Sequence, residues 1–226
     1  MANIIGIETA TEICSVALSI NDKIDIIESN IKYSHSEKLS VFIDTLLKRN
    51  NLSTANLNAV VISAGPGSYT GLRIGVSVAK GLCYSLDIPM IAINTLKSMA
   101  YHFINKNKPE NDSLICPLID ARRMEVYKAV YDKNLNIIDN VKAEIIDEKS
   151  FDKYLKKIHL FGSGAEKLKT IIKNDYVVFH DFSISAESLV LLGKRKWENK
   201  DFEDVAYFEP FYLKDFIALP AKNKFL

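Results

Sequence analysis

The chain has 226 residues, of which 48% are hydrophobic and 25% are charged, a composition typical of a globular protein and unlike that of a disordered one. Its formal net charge of +1 argues against a dedicated nucleic-acid-binding protein, which usually carries a basic stripe. Cys14, Cys83 and Cys116 stand far apart, which predicts buried thiols in a reducing compartment rather than disulfides or a metal centre. Because no apolar run reaches about 18 residues, we expect a cytoplasmic protein without a membrane segment.

A glycine-rich segment at 63–75, Ser-Ala-Gly-Pro-Gly-Ser-Tyr-Thr-Gly-Leu-Arg-Ile-Gly, is the most informative part of the chain. The β-branched run at 59–62 before it predicts a buried strand, and the pattern at 72–86 after it predicts a helix. A turn that leads a strand into a helix directs backbone N–H groups and the positive end of the helix dipole at an anion. The candidate phosphate ligands are Gly65, Gly67 and Ser68. A tight turn that holds no ligand accounts for the same pattern, and the spacing matches neither the Walker loop nor the dinucleotide fingerprint.

The first hundred residues are predicted to form one α/β lobe. The elements expected in chain order are strands at 3–8, 15–20 and 23–29, a helix from Ser34 to residue 49, a strand at 59–62, a helix at 72–86, a strand at 88–93 and a helix at 95–103. Glu8 ends the first strand, and a hydroxyl-rich turn at 9–11 follows it. Ser34 and Glu37 have the spacing of a capping box, which predicts where the first helix begins.

The polar stretch at 105–112 is the predicted boundary between two lobes, residues 1–104 and residues 105–226. Beyond it the opening pattern returns, because an apolar strand again ends in an acid, Asp120, and a turn and two strands follow. The elements expected in this lobe are strands at 114–119, 125–131 and 136–141, a helix at 148–157, a strand at 159–162, a helix ending at Lys173, a strand at 177–179, a helix at 185–196 and a docked tail at 209–214. Two lobes that open alike predict the duplicated α/β architecture of actin-like and ribonuclease H-like proteins.

The helix predicted at 72–86 is apolar on most sides, and its polar residues form one narrow stripe. These stripe residues are Arg73, Ser77, Lys80 and Tyr84. A helix that is apolar on most sides is covered on most sides, either within the chain or by a partner. We therefore expect a subunit interface on this helix and on the helix that begins at Ser34, with burial inside a single chain as the alternative.

Four motifs follow one another along the chain: Ile7-Glu8-Thr9-Ala10-Thr11, the glycine-rich residues 65–75, Asp120-Ala121-Arg122 with Glu125-Val126-Tyr127, and Pro-Phe-Tyr-Leu at 210–213. Together they closely resemble the TsaB (YeaZ) family over essentially the whole chain. The glycine-rich motif also occurs in the sister family TsaD, whereas the short length and the Asp-Ala-Arg motif favour TsaB. The resemblance implies an actin-like (ASKHA) fold. It also implies a role in making N6-threonylcarbamoyladenosine (t6A) at position 37 of tRNAs that decode codons beginning with adenosine.

The resemblance also implies a set of partners. In this pathway TsaC makes threonylcarbamoyl-adenylate, TsaD transfers the group to tRNA, TsaB is the obligatory partner of TsaD, and TsaE is an ATPase. The chain would thus form a heterodimer with TsaD, or a homodimer when TsaD is absent, and tRNA would be the substrate of the complex. No cofactor is expected on the chain itself, and ATP or ADP would bind at the complex. The interface residues expected on the two helices, some of which must instead face the sheet, are Leu39, Phe42, Ile43, Leu46, Ile74, Val78 and Leu82.

The sequence departs from TsaD at the positions where that family binds its catalytic metal. TsaD-like proteins carry a His-x-x-x-His pair just after the strand that follows the glycine-loop helix. Here Thr95 and Met99 occupy those positions, and neither replaces an imidazole as a metal ligand. Glu8 also stands where the family more often has aspartate. We therefore expect no catalytic residue and no metal site, with a nucleotide-binding module and a metallopeptidase-like enzyme as the alternatives.

Two clusters of basic residues are candidates for contact with tRNA. One is the pair Arg122 and Arg123, and the other is the set of lysines from Lys153 to Lys157. Runs of charge are more often simply solvated, so the sequence alone leaves both interpretations open.

Overall fold

The computed structural model describes residues 2–21, 23–29, 31 and 34–214, and its first lobe is built on a five-stranded mixed sheet. The strands of this sheet are β1 (Ile4–Glu8), β2 (Cys14–Ile20), β3 (Lys23–Ser29), β4 (Ala59–Ser63) and β5 (Met90–Ile93). Their spatial order is β3-β2-β1-β4-β5. β1 is antiparallel to β2 and parallel to β4. All five residues of β1 and of β4 are buried, as expected for apolar strands with both faces covered.

The second lobe repeats this topology. Its strands are β6 (Leu114–Asp120), β7 (Glu125–Tyr131), β8 (Ile137–Ile145), β9 (Ile158–Phe161) and β10 (Val177–Phe179). They lie in the order β10-β9-β6-β7-β8, with β6 antiparallel to β7 and parallel to β9. The same connectivity in both sheets confirms the predicted duplicated, two-lobe ASKHA fold of the α/β class.

Within the described residues, four α-helices cover the two sheets. They are α1 (His35–Arg49), α2 (Tyr69–Leu86), α3 (Thr95–Asn107) and α4 (Glu187–Glu198). α1 and α2 cover the face of the first sheet that carries Ile5 and Ile7, whereas α4 covers the opposite face, which carries Ile4 and Val61. Alternate side chains of a strand point to opposite faces, so this sheet lies between two apolar layers.

Two helices pack against the lobe to which they do not belong in sequence. α3 follows the last strand of the first sheet but packs on β6 of the second, where Met99 and Phe103 join Ile115 and Phe161 in one core. α4 follows the second sheet but packs on β1 and β2 of the first. The boundary predicted between residues 104 and 105 falls inside α3 and stays a prediction.

The structure corrects two predicted helices. Residues 148–153 form turns instead and residues 154–157 are irregular. Asp147 and Ser150 bond each other and the nearby backbone, including a Ser150 Oγ–Asp147 Oδ1 bond of 2.8 Å. Such side chains compete with helical hydrogen bonds. The helix predicted to end at Lys173 is only a 3₁₀ turn at Glu166–Leu168.

The start of α1 and the predicted linker also differ from expectation. The Ser34 side chain donates to the carbonyl of Ile31 at 2.8 Å and caps no helical N–H group, so the predicted capping box does not form. α3 extends to Asn107 and takes up the first residues of the stretch predicted as a linker. No helix among the described residues has the length and apolar character needed to cross a bilayer.

Candidate functional site

The glycine-rich loop is enclosed on one side by the start of α3 and by the C-terminal tail. Gly65 donates its N–H group to Thr95 Oγ1 at 3.0 Å, and its carbonyl accepts from the Thr95 N–H group at 2.9 Å. The tail crosses the loop where Phe211 donates to the carbonyl of Ala64 at 2.7 Å. A Cβ atom at Gly65, whose φ is +102°, would press against the Phe211 carbonyl oxygen. The predicted docking of the tail is thus confirmed, and Gly65 permits its close approach.

The turn at 9–11 encloses the same loop from the other side. A Cβ atom at Gly67 or at Gly71 would collide with the carbonyl oxygen of Ala10 or of Thr9, respectively. Ser68 donates its N–H group to the Ala10 carbonyl at 2.7 Å, and its side chain caps α2 by accepting from the Gly71 N–H group at 3.2 Å. Gly65 and Ser68, two of the three candidate phosphate ligands, therefore donate their N–H groups within the chain. Phosphate binding at this loop stays a prediction.

Glu8 lies beneath the turn and is completely buried. Its Oε1 atom accepts from the Ala10 N–H group at 2.7 Å and from Ser63 Oγ at 2.8 Å, while its Oε2 atom has no hydrogen-bond partner among the described residues. Burial raises the pKa of this carboxyl to about 7, although the two hydrogen bonds act in the opposite direction. In this arrangement Glu8 holds the end of β1 to the end of β4 and has no exposed surface.

The two positions that match the metal ligands of TsaD-like proteins serve the core here. Thr95 is completely buried and bonds the glycine-rich loop, and Met99 is buried between Leu96 and Phe103. Across residues 2–21, 23–29, 31 and 34–214, no three His, Cys, Asp or Glu side chains are grouped so that they could hold a metal ion.

The second lobe has a strand end equivalent to that of the first. β6 ends in Asp120, as β1 ends in Glu8, and the turn at 162–164 follows β9 as the glycine-rich loop follows β4. Ser163 Oγ accepts from the Asp120 N–H group at 3.1 Å. The Asp120 side chain is about half exposed and pairs with Lys167. This strand end is open to solvent, unlike its first-lobe counterpart.

The seven predicted interface residues divide into two groups. Leu39, Ile43 and Leu46 are buried in the core that α1 forms with the sheet. The half-buried residues are Phe42, Ile74, Val78 and Leu82. A groove of about 390 Å³ runs between α1 and α2, and its apolar lining includes Ile43, Val78 and Leu82. The partner interface stays a prediction. Of the seven residues, the four half-buried ones keep surface that a partner could contact.

Comparison with known proteins identifies the family. The family model for TsaD, described as tRNA N6-adenosine threonylcarbamoyltransferase, matches residues 26–219. The tRNA threonylcarbamoyladenosine biosynthesis protein TsaB of Escherichia coli K12 is 29% identical, over 97% of this chain and 99% of its own length. TsaB of Buchnera aphidicola subsp. Acyrthosiphon pisum is 32% identical, over 89% and 94%. The chain belongs to the TsaB family. TsaB is related to TsaD, and the chain is therefore a protein of t6A tRNA modification.

The fold agrees with a solved structure of this family. The structure described as YeaZ from Pseudomonas aeruginosa superposes with a TM-score of 0.83, covering 94% of this chain and 100% of that one, at 22% identity. At this identity the likeness supports the fold, and the residues of the TsaB chain itself must support any more detailed role.

One surface feature of this TsaB chain was missed in the sequence. Gly71 and Gly75 lie against Thr9, and the face of α2 that these two glycines form is therefore internal. Gly81 lies about 240° further round the helix, is exposed, and has no atom within 4 Å of where its Cβ would be. It stands in an exposed stripe with Ser77 and Tyr84. The signal in the sequence was a mid-helix glycine out of phase with the other two.

Proposed function

We propose that this TsaB chain is the partner subunit of TsaD in the complex that makes t6A at position 37 of tRNA, and that it supports the transferase without catalysis of its own. The observation that carries the proposal is the exposed stripe of α2 around Gly81. TsaE and TsaC complete the proposed pathway, and ATP or ADP would act at the complex.

Gly81 weakens the helix without any benefit inside the single chain. Glycine in a helix interior costs about 0.5–1 kcal/mol relative to alanine, and none of the described residues lies near enough to Gly81 to require it. A partner helix that approaches the backbone closely would require it. Beside it, the Tyr84 side chain is 88% exposed, and aromatic side chains are enriched at interfaces.

The partner that fits this face is TsaD. The resemblance to TsaB implies that α1 and α2 pair with the corresponding helices of TsaD, in a bundle of four. The groove lined by Val78 and Leu82 supplies apolar surface next to the Gly81 stripe. When TsaD is absent, a second copy of the chain would occupy the same face.

A supporting role without catalysis agrees with the surroundings of Glu8, Thr95 and Met99, the residues considered as candidates for catalysis or metal binding. Thr95 and Met99 are core residues, and Glu8 is buried with one oxygen engaged by two donors. None of these three side chains has the exposure that a metal ligand or general base needs to meet a substrate.

Substitution of Gly81 by arginine tests the proposal. Because the site has open space around it, Gly81→Arg should fold like the unsubstituted chain, whereas the bulky side chain should weaken binding to TsaD at least tenfold. The measurement is co-elution and affinity with purified TsaD, with circular dichroism as the check on folding. Val78→Arg at the neighbouring groove should act in the same way.

Leu155→Arg is the matched control, since Leu155 is 78% exposed on the second lobe and receives the same charge. It should leave TsaD binding unchanged. Undiminished binding of both Gly81→Arg and Val78→Arg would contradict the proposed interface.

A further inference from the structure

The turn between β6 and β7 presents two adjacent arginines in an uncommon backbone conformation. Arg122 and Arg123 have φ angles of 71° and 51°, values in the left-handed region that few residues other than glycine adopt. Lys167 holds the turn, because its ammonium group donates to the carbonyls of Arg123 at 2.7 Å and Glu125 at 2.6 Å and also pairs with Asp120. The turn is thereby fixed with both arginines exposed.

The charge of this pair is not neutralised locally. Neither Arg122 nor Arg123 forms an ion pair with a carboxylate of the described chain, whereas Asp120 is paired with Lys167 and Glu125 with Lys214.

The other basic cluster considered in the sequence behaves differently. Lys153 pairs with Asp139 at 3.0 Å, and Lys157 pairs with Glu110 at 2.5 Å. In the lysine set only Lys156 lacks an ion pair among the described residues, whereas both members of the arginine pair lack one, so the arginine pair is the cluster with two adjacent charges available for an anionic partner.

The C-terminal tail joins this turn to the first lobe. Phe211 is bonded to the glycine-rich loop, the Tyr212 ring lies 4.8 Å from the Tyr69 ring, and Lys214 reaches Glu125. The backbone from residue 211 to residue 214 spans at most about 11 Å. The two lobes thus share one continuous surface along the tail.

A third arginine lies on the first-lobe side of that surface. The Arg73 guanidinium lies 4.1 Å from the centre of the Tyr69 ring and has no carboxylate partner among the described residues. We call Arg73, Arg122 and Arg123 the interlobe basic surface.

We propose that the interlobe basic surface binds phosphate groups of an RNA backbone, which deepens the proposed function because tRNA is the substrate of that complex. The guanidiniums stand on two lobes, so a strand with phosphates repeated along it can reach them together. Arginine is well suited to bidentate contact with phosphate, and contacts with the backbone are made without regard to sequence. Phosphate of a free nucleotide shares this chemistry and forms a separate arm of the test.

The test uses the complex of this chain with TsaD and a fluorescent tRNA transcript, with affinity measured from 0.05 to 0.3 M salt. Arg122→Gln with Arg123→Gln should lower affinity about tenfold or more at the low-salt end, and the slope of log affinity against log salt should become shallower by about 1.5 to 2. Arg122→Lys with Arg123→Lys keeps both charges and should retain most of the slope.

The matched control is Lys108→Gln with Lys133→Gln. Lys108 precedes β6 and Lys133 follows β7, so both lie near the end of the second sheet that is far from the arginine turn, and the substitution removes the same charge. It should change tRNA affinity less than twofold.

Unchanged affinity and slope in the arginine variant, with TsaD still co-eluting, would overturn this inference and leave the proposed function standing. If the arginine variant lost ADP binding in calorimetry while its tRNA binding stayed intact, the site would be assigned to a nucleotide, and this result would also overturn the inference. Failure of the unsubstituted chain to co-elute with TsaD would contradict the proposed function itself and remove the basis of this inference.

Discussion

In the first lobe, β1 ends in Glu8, which is completely buried and bonded to Ser63 of the neighbouring strand. In the second lobe, β6 ends in Asp120, whose side chain is about half exposed and pairs with Lys167. The two acids occupy equivalent positions of a duplicated sheet. Equivalent topology therefore leaves the two strand ends with different surroundings.

The difference arises from what covers each end. Over Glu8, the turn at 9–11 and the tail press on glycines of the loop that follows β4. At Asp120, the turn that follows β6 exposes Arg122 and Arg123 to solvent instead, and Lys167 donates a hydrogen bond to the Arg123 carbonyl of this turn. We infer that the first-lobe end serves packing, while the second-lobe end and the exposed stripe of α2 face partners.

The strongest way to disturb the first-lobe arrangement is to add one methyl group to the glycine-rich loop. Gly67→Ala would place its Cβ against the carbonyl of Ala10, so the first turn must move. We expect a loss of about 2–4 kcal/mol in the free energy of unfolding, measured by urea denaturation.

Gly81→Ala is the control for this change, because its Cβ meets open space. It should raise the free energy of unfolding by up to about 1 kcal/mol. Equal stability of Gly67→Ala and the unsubstituted protein would show that the loop is not closely packed on the turn.

A smaller and pH-dependent effect is expected from Glu8→Gln. Burial raises the pKa of Glu8 from 4.5 to about 7, so between these pH values the folded protein holds a proton that the unfolded chain releases. This contribution to stability is present below about pH 4.5 and is lost as the pH rises towards 7, by up to about 3 kcal/mol. The free energy of unfolding of the glutamine variant, relative to that of the unsubstituted protein, should therefore be higher at pH 8 than at pH 5. Urea denaturation of both proteins at both pH values measures this difference.

Asp120→Asn makes the corresponding change at the second strand end. It removes one partner of a partly exposed ion pair, which contributes about 1 kcal/mol or less, so the expected loss is small.

If the stability difference between Glu8→Gln and the unsubstituted protein were the same at pH 5 and pH 8, the buried carboxyl would not be the source of the pH dependence.

Most strands could be predicted from the sequence because their patterns are local. The run at 59–62 and the paired openings at Glu8 and Asp120 were sufficient to predict the duplicated fold. The helix predicted at 148–157 was wrong because Asp147 and Ser150 bond the local backbone instead, a competition that the apolar spacing of Phe151 and Tyr154 does not reveal. The burial of Lys128 could not be predicted from the sequence either. This side chain is completely buried, 3.2 Å from Glu144 and over the Phe151 ring, a position that its residue type does not predict.

The candidate surfaces were harder to predict than the fold. The apolar residues of α1 and α2 look the same in the sequence whether they face the sheet or a partner, which is why the buried Leu39 and Leu46 of α1 could not be separated from the half-buried Val78 of α2. The glycine-rich loop likewise looked suited to phosphate, because the tail residue that covers it, Phe211, lies far away in sequence. The turn that holds Arg123 in its left-handed conformation is likewise bonded by Lys167, another distant residue.

The most direct test of the account is tRNA threonylcarbamoylation in a mixture of TsaC, TsaD, TsaE, threonine, bicarbonate, ATP and tRNA, with and without this chain. We predict that modified tRNA forms only when the chain is present, and that the chain without TsaD forms none. Undiminished product when the chain is omitted would contradict its role as the partner subunit of TsaD.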